Sequence, residues 1–245
     1  MNRRELHKPM VAFDDIAALP GLAYSSDVEA KPDECLIRIG LVSVGGSDGN
    51  TVAAIAQGLQ FVTRTIAIDT DLDALISSGA DRTVLIGSGI GRPQHPRQAF
   101  EMAGRHAQDI EAAIDDLDLV FIVAGMYGAA GKGVAPVVAE TARRKHIATL
   151  GIAIIPAEWQ GAHPNPRVAY GVREFQRAGA SVFPIKSQSL AQANGEKDAG
   201  VSQTVRSLFA SIGHAVNDHI GGIDLHDLQL VLNPGGIAAM DPLIP

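Results

Sequence analysis

A single cysteine, Cys35, stands in a chain of 245 residues. One thiol closes no internal disulfide and supplies no thiolate cluster for zinc, so neither an oxidised scaffold nor a zinc ribbon is expected. Basic residues are outnumbered: 20 Lys and Arg face 27 Asp and Glu, for a formal charge of -7, which sets nucleic acid aside as a partner. No apolar run approaches the roughly 20 residues of a membrane helix. The segment 1–33, interrupted by Pro9, Pro20 and Pro32, has no signal-peptide core, and the expected location is cytoplasmic. The eight histidines show no HExxH pattern and no cysteine partners, so no metal centre is expected of them. Internal repeats and low-complexity tracts are also missing.

What is present is an apolar share of 46%, enough for a substantial core, and 26 glycines gathered in clusters. From Cys35 onward, short β-rich runs alternate with helical patterns. This predicts an α/β fold with a Rossmann-like, mostly parallel sheet flanked by helices. The strand candidates are Leu36 to Val44, Arg64 to Ile68, Thr83 to Ile86, Leu117 to Ala124, Thr149 to Ile155 and Ala180 to Ile185. The run Leu119 to Ala124 is apolar throughout, as suits a strand covered on both faces. Helices are predicted at Thr51 to Gln60, Leu72 to Ser77, Arg97 to Ile114, Val134 to His146 and Val168 to Arg177. After a polar connector, Val201, Val205, Leu208, Ile212, Ala215 and Val216 share one helical face, and a shorter helix is predicted from Leu225 to Leu232. The expected organisation is an N-terminal arm (1–34), a ligand-binding domain (35–200) and a long helix with a C-terminal segment (201–245).

Three strand-to-helix junctions carry candidate chemistry. The first contains Gly45, Gly46, Ser47, Asp48, Gly49 and Asn50, and the second runs from Gly125 through Gly128, Ala129, Ala130, Gly131, Lys132 and Gly133 to Pro136. Bare backbone N–H groups at a helix start can hold phosphate, although glycine also serves tight turns. The first junction has neither the GxGxxG spacing of a dinucleotide fold nor the GKS or GKT ending of a Walker loop. Open α/β sheets bind ligands beyond the carboxyl ends of their strands, so two such loops on neighbouring strands can converge on one anion. The third junction brings Asp69 and Asp71, suited to a magnesium water shell or a ribose hydroxyl, while Asp71 is equally suited to cap the next helix. Trp159 falls in a predicted loop near the same edge, suited to stacking on a base or to core packing.

Together these loops resemble the FtsZ/tubulin superfamily of GTPases, from about Leu36 to Met240. Residues 44–50 are similar to that family's first nucleotide loop, Ile66 to Asp71 to its IAINTD segment, and Gly125 to Pro136 to its signature loop, GMGGGTGTGAAP. Asp224 to Leu228 resembles the loop that one subunit inserts into its neighbour's nucleotide site, and Gly236 to Met240 the GMAMM that follows. Tyr127, Ala129, Ala130 and Lys132 stand where the family has Gly, Gly, Thr and Thr, and Lys132 reads either as a compensating cation or as an ordinary exposed lysine. The third-phosphate loop is shortened to Gly91 to Pro96 around Arg92, the FEG of the ribose loop reads Trp159-Gln160-Gly161, and Lys186 falls at the guanine-edge position.

The resemblance implies GTP or GDP as ligand, with or without Mg2+, and self-association as a dimer or filament. It also implies links to cell division, the cytoskeleton or membrane remodelling, with a protein partner supplying any membrane contact. Asp224 and Asp227 become the catalytic candidates, with helix capping as their alternative role. Such a chain is a truncated relative without the second, β-rich domain, its hydrolysis slow or dependent on assembly. A non-catalytic interaction protein with a degenerate pocket is the competing expectation.

Overall fold

The computed structural model describes residues 37–45, 55–56, 58–89, 92–155, 166–186, 206–207, 209–214 and 225–232. Six strands, β1 (Ile39–Val44), β2 (Val62–Asp69), β3 (Arg82–Leu85), β4 (Leu119–Gly125), β5 (Ala148–Ile155) and β6 (Ser181–Lys186), form one sheet. Its order is β3-β2-β1-β4-β5-β6 and every pairing is parallel. All six predicted strands are present, with ends displaced by a few residues at most. The helices are α1 (Leu72–Ile76), α2 (Pro96–Arg105), α3 (Ala107–Ile114), α4 (Ala129–Arg144), α5 (Pro166–Arg177) and α6 (Leu225–Leu232).

Alternation along β4 explains the layering. Val120, Ile122 and Ala124 enter one apolar cluster, roofed by α2 to α5, while Leu119, Phe121 and Val123 enter a second on the opposite face. Side chains two apart share a face of a strand, so a strand that is apolar throughout must be covered twice. The second face is covered by Ile55, Leu59, Phe209 and Leu232; Phe209 stacks on Phe121 with ring centroids 4.1 Å apart. Residues 206–207 and 209–214 are helical, within the predicted long helix.

Three helices differ from expectation, the first being that predicted from Thr51 to Gln60, in which residues 55–56 are helical and 58–60 are not. The predicted helix from Arg97 to Ile114 is broken at His106, whose Nε2 lies 3.2 Å from the Gly87 nitrogen and whose Nδ1 lies 2.9 Å from Asp109 Oδ2. Helix α4 begins at Ala129, five residues before Val134, and Pro136 therefore lies well inside it, where the ring leaves the Lys132 carbonyl without its usual donor. Glycine within a helix is unfavourable by roughly 0.5–1 kcal/mol relative to alanine, so Gly131 and Gly133 need another reason to be there.

Candidate functional site

Strands β1 and β4 pair in register from Ile39↔Leu119 to Val44↔Ala124, so the turns after them emerge side by side at the carboxyl edge of the sheet. Gly45 has φ +58°, a conformation side chains rarely adopt, and its N–H donates to the Ile68 carbonyl at 3.1 Å. A β-carbon at Gly45 would stand 2.6 Å from the Gly131 nitrogen and 3.0 Å from Ala130 Cβ. One at Gly125 would stand 3.1 Å from the Gly45 carbonyl oxygen, and one at Gly131 would collide with the Gly125 carbonyl. Three glycines from two turns thus pack backbone against backbone.

Gly128 caps α4 without a side-chain hydrogen bond. The first amides of a helix have no acceptor within it, and with the helix dipole they suit an anion. Gly133 points elsewhere: a β-carbon there would collide with the Pro96 carbonyl and stand 2.6 Å from Ala99 Cβ, which makes it the close-contact point between α4 and α2. Gly46, Ser47, Asp48 and Asn50 lie outside the described residues, as do Asp224, Trp159, Gln160, Gly161 and residues 236–240. Lys186 closes β6.

Beside the glycines, the end of β2 carries Asp69, whose Oδ1 accepts from the N–H groups of Thr70 (2.6 Å) and Asp71 (3.1 Å). Burial raises its pKa above the usual carboxylate value, against the effect of those two donors. Asp71 caps α1, accepting from the N–H groups of Asp73 and Ala74 through Oδ1, while its Oδ2 is 2.6 Å from Arg92 Nη2. The guanidinium bond, followed by the backbone donors, lowers the Asp71 pKa. Both Asp71 oxygens are engaged and Asp69 uses one, so the pair fits magnesium at most through one direct oxygen and water; that metal takes most of its ligands from water and phosphate. Among the described residues no group of three His, Cys, Asp or Glu side chains could hold a metal ion.

Lys132 is buried, with 6% of its surface exposed. Its Nζ lies 3.5 Å from the carbonyl oxygens of Met126 and Tyr127, and its stem runs over Gly171 of α5. Burial, reinforced by the Arg167 charge, lowers its pKa. Arg167 was not singled out by the sequence patterns, yet a signal exists: it sits in the first turn of α5, where the dipole disfavours a cation. Tyr127 is 54% exposed at the turn itself.

Asp227 is exposed on α6 at the other edge of the sheet. There Ser181 Oγ, at the start of β6, donates to the Leu232 carbonyl at 2.9 Å, and Gln229 Nε2 donates to the His146 carbonyl, just before β5, at 3.1 Å. Strands of six to eight residues lie between this helix and the glycine turns, a span of about 20–27 Å.

The family described as "Tubulin/FtsZ family, GTPase domain" matches residues 39–195, the stretch that contains all six strands. This chain belongs to the tubulin/FtsZ family. "Cell division protein FtsZ 1" of Methanocaldococcus jannaschii is 29% identical over 215 residues, covering 82% of this chain and 58% of that protein. "Cell division protein FtsZ" of Bartonella bacilliformis is 33% identical over 224 residues, covering 86% of this chain and 38% of that protein. The chain thus spans about half the length of these curated relatives. A solved structure titled "FtsZ dimer, empty (M. jannaschii)" superposes with a TM-score of 0.64 at 27% identity, covering 74% of this chain and 55% of that one. "CetZ1 from Haloferax volcanii - GDP bound monomer", at 19% identity and a TM-score of 0.65, shares the fold.

Proposed function

We propose that this FtsZ-like chain binds GTP or GDP at the carboxyl edge of its sheet and hydrolyses GTP slowly, and only when a second copy brings its α6 edge to that nucleotide. The observation that carries the reading is the packing of Gly45, Gly125 and Gly131, which brings the backbones of the turns after β1 and β4 together beside the first amides of α4. In this reading Gly45 to Asn50 and Gly125 to Gly131 hold the phosphates, Asp69 and Asp71 lie toward the ribose or a magnesium water shell, and Arg92 meets the terminal phosphate. Asp224 and Asp227 orient the attacking water from the neighbouring subunit. Separation of the two edges by the height of the sheet favours hydrolysis between subunits, a heterologous contact that generates filaments. We read 1–34 as an arm, 35–200 as the nucleotide-binding domain and 201–245 as the long helix and catalytic-loop segment. The role that follows is cytoplasmic, in cell division or membrane remodelling, with membrane contact through a partner protein. Among the described residues no helix is long and apolar enough to cross a membrane.

Thermal-shift and calorimetric titration with GTP, GDP, ATP and NAD, with and without magnesium, tests the binding, because a ligand bound only by the native state raises its apparent stability. Selective stabilisation by GTP or GDP is expected; no response to any of them overturns the reading. In that event the alternative gains, a non-catalytic interaction protein. The exposed Tyr127 ring at the turn favours it, since aromatic side chains are typical anchors of protein contacts.

A further inference from the structure

Lysine is almost never fully buried without a partner, and Lys132 lies in a helix whose first turn holds no acidic side chain. It is the fourth residue of α4, and Arg167 stands in the first turn of α5, so two helix starts that the dipole makes positive each carry an added positive charge. Helical side chains lean toward the N-terminus. The Lys132 stem accordingly runs back along α4, over the space left by Gly171, whose β-carbon would stand 3.0 Å from Lys132 Cδ. Its ammonium ends 3.5 Å from two successive carbonyl oxygens, those of Met126 and Tyr127.

We propose that Lys132 is a positioning residue for the phosphate-binding turn, holding the Met126 and Tyr127 carbonyls so that the N–H groups of Tyr127 and Gly128 are presented to an anionic ligand. The argument is one of peptide geometry. In a trans peptide the C=O of one residue and the N–H of the next point in opposite directions, and no cis peptide is present among the described residues. Two consecutive carbonyls drawn toward the ammonium therefore turn two consecutive N–H groups away from it. Successive N–H groups of that kind form an anion-binding concavity. The turn is held from its other side by the Met126 N–H, which donates to the Ile154 carbonyl at 2.8 Å. Lys132 thus acts through the backbone and without touching the ligand, unlike the compensating cation of the sequence reading. Its charge remains close enough to add to the field at the start of α4.

This inference rests on the nucleotide reading for the identity of the anion, and two measurements separate the two ideas. The first is amide hydrogen exchange of the ligand-free protein, comparing wild type with Lys132→Met, which keeps the length of the stem and removes the ammonium, and with Lys132→Arg. Faster exchange of the Met126 N–H, the amide of this turn that is bonded to the Ile154 carbonyl, is expected in Lys132→Met, with the core strands unchanged and with recovery in Lys132→Arg. Unchanged exchange at that amide overturns the proposal whatever the nucleotide does. The second is affinity for GDP and for guanosine. Lys132→Met is expected to lose GDP about tenfold to a hundredfold, the range for donors to a charged group, while guanosine affinity holds and Lys132→Arg keeps most of the GDP affinity. Equal losses for GDP and guanosine mean a general structural role and overturn the proposal. If wild type itself binds no GDP, the nucleotide reading fails, and the exchange experiment still decides whether Lys132 sets the turn.

Discussion

Arg92, in the loop after β3, reaches Asp71 at the start of α1, with Nη2 2.6 Å from Oδ2. The bond joins two segments that flank the glycine turns, and it is made by an arginine that is 68% exposed on its side chain. Exposed ion pairs contribute little to stability. Arg92→Ala is therefore expected to leave the thermal midpoint almost unchanged. If Arg92 meets the terminal phosphate, the same variant narrows the difference in affinity between GTP and GDP, as calorimetry will measure. A large fall in the midpoint would mean that the pair holds the fold together.

The glycines of α2 and α4 separate close contact from chain flexibility. Gly131→Ala drives a methyl into the Gly125 carbonyl and Gly133→Ala drives one into the Pro96 carbonyl, and both are expected to lose about 1–3 kcal/mol of stability in chemical denaturation. Gly104, exposed in α2, has nothing within 4 Å of its missing β-carbon. Gly104→Ala is expected to gain about 0.5–1 kcal/mol.

The proposed hydrolysis between two subunits makes a mixing experiment informative. Gly131→Trp is expected to bind no nucleotide, and Asp227→Ala to bind it without turnover, so each variant alone is inactive. In an equal mixture about a quarter of head-to-tail contacts pair a filled site with an intact α6 edge. Phosphate release should return to about that fraction of wild type. An inactive mixture, with both variants still assembling, would exclude hydrolysis between subunits.

Asp81 ties the start of β3 to β2, its Oδ2 accepting from the Thr65 N–H and hydroxyl, both at 2.7 Å. The backbone bond foremost, then the hydroxyl, lowers its pKa below the model-peptide value of 3.8. A lowered carboxylate stabilises the fold fully above that value and ceases to do so as pH falls through the folded-state pKa. Asp81→Asn should therefore be less stable than wild type in urea near neutral pH, and the difference should close in strong acid. A difference that persists in acid would assign the effect to lost packing.

The strands were legible because burial on both faces leaves an unmistakable pattern: Leu119 to Ala124 is apolar throughout and buried throughout. The break at His106 was not, since Gly104 two residues earlier is an isolated glycine of the kind a helix tolerates; at the break a side chain meets Gly87 and Asp109. The early start of α4 was hidden because clustered glycines read as loop, whereas Gly131 and Gly133 provide room for neighbouring backbone. Asp71 was read with two roles, and it does cap its helix. Burial of Lys132 depends on Gly171, 39 positions away in the chain, a pairing that no local pattern encodes.

The imidazole at that break has one further property. A backbone amide can only donate, so the Gly87 N–H fixes His106 Nε2 as a lone-pair acceptor and leaves the ring proton on Nδ1, facing Asp109. The bend between α2 and α3 is therefore held by a single tautomer. The bond from Gly87 is one tie at the root of the loop that carries Arg92, and the Ile86 N–H, donating to the Asp69 carbonyl at 2.8 Å, is another.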